Sequence, residues 1–390
     1  MREKVVINDL AALYVCLSSD WGSIERRFIQ DAIYLRDVGG SPLLLCFKGT
    51  HLLKAAKVND LRYIEIELQE ISLFNFSFHF FLKKIIKENA IDIVHCYGFN
   101  FVAMTCMVMG RYKQIPLFVT LNKPVEQYFK NYFYKYLFKR IDAIITLDAF
   151  SRELVSSFLP LSQKRMHSFG MGLELYQVHP PSTAARSVVK IGCYVPQTVS
   201  DKAYFIPLFN AIRILLTEEG PKRILEKMEI FLFTDINWAV SHINNELRWL
   251  IKDFGLEDYI RLDNGLKLLG SRPQFDILLG LESNEIIYDY EIWSLMHNIP
   301  ILVPRTSARE HLLSQNEFMG ESYMANDARE LKNKLGKIIG RLTKYHEDLR
   351  ACSGAIREEH SLERYSENIF ALYEKAKQQR KRLFNPEKTA

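Results

Sequence analysis

The sequence contains no apolar run of about 18 residues, the length that a membrane-crossing helix requires. Its first ten residues, MREKVVINDL, lack the apolar core of a signal peptide. The six cysteines, at 16, 46, 96, 106, 193 and 352, show no paired spacing. They read as reduced thiols of a cytosolic protein, not as a disulfide or zinc framework. No internal repeat and no low-complexity stretch appears, and no recognition motif for nucleic acid accompanies the positive charge. A membrane-spanning protein, a secreted disulfide scaffold and a nucleic-acid binder are thereby set aside.

What is present is ordinary for a soluble globular chain: 48% hydrophobic and 25% charged residues. A length of 390 residues implies two or three domains with full cores. The net charge of +5 is uneven, with 22 Lys and Arg against 17 Asp and Glu in residues 1–180, and 29 against 29 in the remainder. Either the first half meets an anionic partner, such as a lipid surface or a lipid-linked diphosphate, or it has a solvated surface with a slight bias.

The chain is organised around residues 275–304, FDILLGLESNEIIYDYEIWSLMHNIPILVP. Apolar runs at 276–281 and 299–303 have strand length, and the spacing between them predicts a helix over 288–297. Two parallel strands joined by a helix form a βαβ unit whose ligands bind at the carboxyl ends of its strands. The loop Glu282-Ser283-Asn284-Glu285 falls at that edge, before a helix N-terminus suited to phosphate or sugar hydroxyls.

This pattern resembles the C-terminal motif of the family 4 glycosyltransferases of GT-B fold. That motif runs strand, Pro-Ser, Glu-x-Phe-Gly, helix with a second Glu, then Gly-x-Pro-Val-Val. Anchored on Pro300, Glu285 falls on the first glutamate and Trp293 on the second. Weaker matches follow in order along residues 12–380. Trp21-Gly22-Ser23-Ile24-Glu25-Arg26 resembles the family's Gly-Gly loop, with Ser23 in place of one glycine. Asp92-Ile93-Val94-His95-Cys96-Tyr97-Gly98 is similar to Asp-Val-Val-His-x-His-Gly, with Tyr97 for the second His. Asn122 stands where many members carry His, and Gly170-Met171-Gly172-Leu173-Glu174 resembles Pro-Asn-Gly-Val-Asp. Cys193 replaces the Arg that holds the leaving diphosphate, and the nearby lysine is Lys202. Arg305-Thr306-Ser307-Ala308-Arg309-Glu310 aligns with a Gly-rich loop whose glycines are gone.

The resemblance implies an α/β protein of GT-B type: two doubly wound Rossmann-like domains facing across a cleft, with a C-terminal helix crossing back to the first. The expected divisions are 1–180 for the acceptor side, 181–360 for the nucleotide-sugar side, and 361–390 for the crossing helix and a basic tail. The Pro- and Ser-containing segment 179–185 reads as the linker. The implied reaction moves a sugar from a UDP- or GDP-linked donor to a cell-envelope or lipid-linked saccharide, with retention and no obligatory metal or other cofactor. On that reading Glu285 orients the donor sugar and Asn122 lines the reacting face. Gly22, Ser23 and Lys202 flank the diphosphate, while Thr306 and Ser307 cradle phosphate with charge from Arg305 and Arg309. Trp293 stacks on the donor or blocks it, and His95 and Tyr97 lie at a strand end beside the acceptor. His95 reads equally as a buried structural histidine. Asp289-Tyr290-Glu291 mimics a metal triplet but sits in a helix.

Two aromatic and basic stretches, FNFSFHFFLKKIIK at 74–87 and EQYFKNYFYKYLFKR at 126–140, suit helices lying on an anionic membrane at its inner face. They suit core-facing amphipathic helices as well. The basic tail is read as solvated or as a lipid contact. The three changed positions, Asn122, Cys193 and Trp293, also admit an inactive relative acting as scaffold for a protein partner.

Overall fold

The computed structural model describes residues 10–67, 76–122, 132–174, 188–195, 201–218, 228–234, 243–263 and 275–384. The expected linker at 179–185 lies outside them. The chain divides into two compact units, one of residues 1–172 with 362–390 and one of residues 173–361.

The first unit is a parallel sheet of seven strands. In chain order these are β1 (Ala11–Cys16), β2 (Ser41–Phe47), β3 (Arg62–Ile66), β4 (Ile93–Tyr97), β5 (Leu117–Leu121), β6 (Ala143–Thr146) and β7 (Met166–Ser168). The spatial order is β3-β2-β1-β4-β5-β6-β7, so winding reverses between β1 and β4. The connecting helices are α1 (Ser23–Asp37), α2 (His51–Val58), α3 (Phe76–Glu88), α4 (Val102–Met109), α5 (Tyr132–Phe138) and α6 (Ala149–Phe158). Strand side chains alternate between faces. Leu13, Val15, Leu43, Leu45, Val94 and Val119 join one apolar cluster with Leu82 and Ile85 of α3, Val108 of α4 and Phe138 of α5. Tyr14, His95, Phe118 and Thr120, one step out of phase, belong to the opposite face.

That opposite face is polar and aromatic. In α1, Arg27 forms an ion pair with Asp31 at 2.7 Å, both side chains almost fully buried. Asp31 also accepts from the hydroxyls of Tyr97 (2.6 Å) and Tyr365 (3.0 Å). Arg27 donates to the Gly172 carbonyl (2.5 Å) and lies over the Tyr365 ring at 4.3 Å. Gly172, at φ +61°, fits this crowding because a Cβ there would meet the guanidinium and the Tyr365 ring. Tyr365 and Tyr373 come from the last helix, α13 (Leu362–Phe384), which packs into this unit as the crossing helix was expected to. The tail is not simply solvated: Lys377 pairs with Asp92 at 3.0 Å and Arg380 with Asp142 at 2.8 Å.

The second unit is a parallel sheet of six strands. They are β8 (Val189–Tyr194), β9 (Met228–Phe233), β10 (Ile260–Asp263), β11 (Ile277–Leu279), β12 (Ile301–Pro304) and β13 (Gly320–Tyr323). Their order is β10-β9-β8-β11-β12-β13, reversing between β8 and β11. The helices described are α7 (Ile206–Thr217), α8 (Asn244–Asp253), α9 (Asp289–Met296), α10 (Ser307–Ser314), α11 (Ala328–Gly340) and α12 (Leu342–His360). Every residue of α9 is buried. It ends at Asn298, which takes the left-handed conformation (φ +62°) common just past a helix C-terminus. From α12, Arg357 caps that end, donating to the Met296 carbonyl (2.6 Å) and to Asn298 Oδ1 (3.1 Å).

Removing one member of a buried ion pair strands the other charge. Arg27→Met is therefore expected to lower unfolding free energy by ~3–5 kcal/mol, with Arg27→Met/Asp31→Leu recovering part of the loss. Urea titration of the three proteins measures both effects; a single variant as stable as the parent would remove the pair from the account.

Candidate functional site

In open parallel α/β sheets, ligands settle at the carboxyl edge where the winding reverses. In the second unit that point lies between β8 and β11, and the residues leaving β11 are Gly280, Leu281 and the acidic loop 282–285. The loop is fixed from beneath by Arg309 of α10. This guanidinium, 0% exposed, pairs with Glu291 of α9 at 2.8 Å. It also donates to the Glu282 carbonyl (2.6 Å) and the Asn284 carbonyl (3.3 Å), and lies over the Tyr288 ring at 5.8 Å. Burial pushes the Glu291 carboxyl up, and Arg309 pulls it back. Glu291 further accepts the Tyr288 N–H (3.2 Å), capping its own helix.

Held in this way, the loop presents Glu285 to the N-terminus of α10. Its carboxylate accepts from the backbone N–H groups of Ser307 (3.2 Å) and Ala308 (3.0 Å). Thr306 is the N-cap, its hydroxyl accepting the Arg309 N–H at 3.3 Å. Glu285, Thr306 and Ser307 are thus brought together as one group, with an internal carboxylate where the sequence suggested a phosphate. Arg309 is committed to the loop, and Arg305 to Glu330 (2.9 Å) and Glu310 (3.4 Å).

The remaining candidates of this unit lie elsewhere. Trp293 is 1% exposed and packs between Phe275 and His297, with ring centroids 6.3 and 4.2 Å away. It therefore faces the core and neither stacks on the loop nor closes it. Cys193 is fully buried, its thiol pushed up by burial. Lys202 starts a 3-10 turn, Lys202–Phe205, and its ammonium lies over the exposed Trp249 ring at 5.7 Å. Two residues on, the Tyr204 hydroxyl is buried, has no hydrogen-bond partner among the described residues, and lies within electrostatic reach of Glu282 and Arg309. Sequence reasoning missed Tyr204, which sits in no motif, and Tyr288, which stands at the Gly position of Glu-x-Phe-Gly and was read only as the start of a helix. Among the described residues no group of three His, Cys, Asp or Glu side chains gathers to hold a metal ion.

In the first unit Gly22 caps α1 with extended backbone (φ −147°), and its N–H donates to the Glu25 carboxylate at 2.9 Å. Ser23 is buried beside it. Asn122, 8% exposed, follows the carboxyl end of β5. His95 and Tyr97 are interior: His95 bonds the Tyr373 hydroxyl (2.5 Å) through Nδ1 and the Thr120 hydroxyl (2.7 Å) through Nε2. The two rings stack with centroids 4.2 Å apart.

With both sheets and their edges in view, the first unit is similar to a known family. Residues 24–175 match the model of Glycosyltransferase Family 4. No curated protein matches the sequence. Solved structures are similar over both units. A glycosyltransferase from Rickettsia africae ESF-5 has TM-score 0.73 at 17% identity, covering 95% of this chain and 99% of that one. Anabaena Alr3699/HepE in complex with UDP has TM-score 0.70 at 12% identity, covering 94% and 100%. UDP-GlcNAc 2-epimerase from Neisseria meningitidis, bound to UDP-GlcNAc, has TM-score 0.61 at 11% identity, covering 94% and 100%. The chain has the GT-B fold, and the stretch that matches the family 4 model runs from α1 to just beyond β7.

Burial lowers His95 from 6.5 to about 3. The unfolded chain takes up this proton near pH 6.5 and the folded protein only near pH 3. His95 therefore stabilises the fold fully above pH 6.5, and that contribution is lost on acidification, by ~1.4 kcal/mol per pH unit within the window. The urea midpoint is expected to drop between about pH 7 and pH 5, and less steeply in His95→Gln. Equal slopes for the two proteins would contradict the assignment.

Proposed function

We propose that this protein is a glycosyltransferase that takes a nucleotide sugar, UDP- or GDP-linked, and transfers its sugar to a saccharide or lipid-linked acceptor of the cell envelope. The observation that carries the reading is the placement of Glu285, a half-exposed carboxylate fixed at the carboxyl edge of the second unit's sheet beside the winding reversal. A carboxylate there accepts hydrogen bonds from sugar hydroxyls and fixes the donor's orientation. Similar solved structures are complexes with UDP, UDP-glucose and UDP-GlcNAc, which supports a nucleotide sugar as ligand. Retention of configuration, independence from metal and work at the inner membrane face form part of the same reading. In it Asn122 lines the reacting face and Lys202 approaches the diphosphate.

A second reading, an inactive GT-B scaffold that binds a protein partner, is favoured by one specific feature. The N–H groups at the α10 N-terminus, the natural anion site of this edge, already hold Glu285.

A thermal-shift series with UDP, GDP and their sugar conjugates separates the two. A true donor at about one hundred times its Kd stabilises the fold by ~2.7 kcal/mol. Glu285→Gln keeps an acceptor oxygen but loses the charge, so transfer is expected to fall by ~10- to 150-fold, the worth of one charged hydrogen bond. No shift with any of these nucleotides would overturn the transferase reading.

A further inference from the structure

We propose that the Tyr204 hydroxyl is a donor-binding group of the second unit, giving a hydrogen bond to a phosphate oxygen of the bound nucleotide sugar. This role rests on the nucleotide-sugar reading above and adds to it a residue that no motif marks.

Tyr204 lies in the first connection of the second unit's sheet, in the 3-10 turn Lys202–Phe205 between β8 and α7. In doubly wound units the first strand-to-helix turn is where a nucleotide's phosphates settle. A 3-10 turn advances about 120° per residue, so side chains two positions apart point in different directions. Lys202 is exposed, with its ammonium over the Trp249 ring. The Tyr204 ring instead packs on the unit's apolar cluster and meets Phe205 edge to face, centroids 5.1 Å apart. Its hydroxyl end is closed off from solvent.

The neighbours of this hydroxyl fix its place. It lies within electrostatic reach of Cys193 on β8, Glu282 in the loop after β11, and Tyr323 on β13. The winding reverses between β8 and β11, so the hydroxyl belongs to the crevice at that point. Nothing among the described residues hydrogen-bonds it. The groups around it are engaged with others. Tyr323 donates to the Gly280 carbonyl at 2.8 Å, and the Glu282 carboxylate accepts from Asn284 at 3.1 Å. Arg309 is paired with Glu291 and holds two carbonyls of the loop.

A buried hydroxyl without a partner lowers stability, and a phenylalanine would fill the same space without that cost. A ligand entering the crevice would supply the missing acceptor. Burial, with Glu282 nearby, pushes the Tyr204 phenol well above its ordinary range. The group therefore keeps its proton at neutral pH and donates to an anion without bringing a negative charge of its own. A phosphate oxygen is the matching acceptor, and its charge strengthens the bond. Glu285 only accepts, which suits sugar hydroxyls. The two residues thus divide the donor, Tyr204 taking phosphate and Glu285 taking sugar.

Isothermal titration of the full chain and of Tyr204→Phe with UDP and with GDP tests this, together with urea unfolding of both unliganded proteins. The substitution removes one oxygen and leaves the ring. The nucleotide that binds the parent is expected to bind the variant ~10-fold more weakly or worse, the worth of a hydrogen bond to a charged acceptor. The urea midpoint of the variant is expected to equal or exceed the parent's, because an unpartnered hydroxyl has been taken out. Equal affinity in the variant overturns the proposal and leaves the nucleotide-sugar reading standing. A lower midpoint overturns it as well, since it reveals a partner within the fold. Binding of neither nucleotide to the parent overturns the reading and the proposal together.

Discussion

The second unit's functional edge depends on the ion pair between Arg309 and Glu291. Two charges withdrawn from water are costly unless each is paired and fully hydrogen-bonded. Here the guanidinium reaches its carboxylate at 2.8 Å and spends another nitrogen on the Glu282 and Asn284 carbonyls. The pair therefore ties three segments together: the acidic loop, α9 and α10. The position of Glu285 follows from that tie, since its carboxylate meets the α10 N-terminus only when the loop is drawn down. The first unit uses the same device, with Arg27 and Asp31 joining α1, β4, α13 and the turn at Gly172.

Both units also place their own glutamates where a helix N-terminus meets the edge of a sheet. Glu285 takes two N–H groups of α10, and Glu25 takes the Gly22 N–H ahead of α1. Glutamates in these places satisfy backbone donors that would otherwise be open to an anion. Sugar hydroxyls, which donate as well as accept, suit such an edge better than phosphate does. On the proposed function, phosphate recognition then falls to side-chain cations, with Lys202 as the proposed one.

The period of the apolar residues made most of the architecture legible. The strand expected within 276–281 runs Ile277–Leu279, and the helix expected over 288–297 runs Asp289–Met296. Alternation in strands and three-to-four spacing in helices encode such elements locally. The roles of side chains were less legible. Arg309 was read as charge for a phosphate, because the pairing with Glu291 spans 18 residues of sequence and leaves no local mark. Trp293 was placed against the donor by alignment to a glutamate. Its true surroundings, Phe275 and His297, follow from burial of α9 on every side, which a helical pattern cannot specify. His95 was left between ligand and core until Tyr373, 278 residues away, appeared on its Nδ1.

The central claim is that a carboxylate at position 285, held by the buried pair beneath it, orients a donor sugar. The most direct test is a crystal structure of the protein with a non-hydrolysable UDP-sugar. The account predicts the sugar hydroxyls within hydrogen-bond distance of Glu285, with the Arg309–Glu291 pair intact. A nucleotide sugar bound with its sugar remote from Glu285 would contradict it.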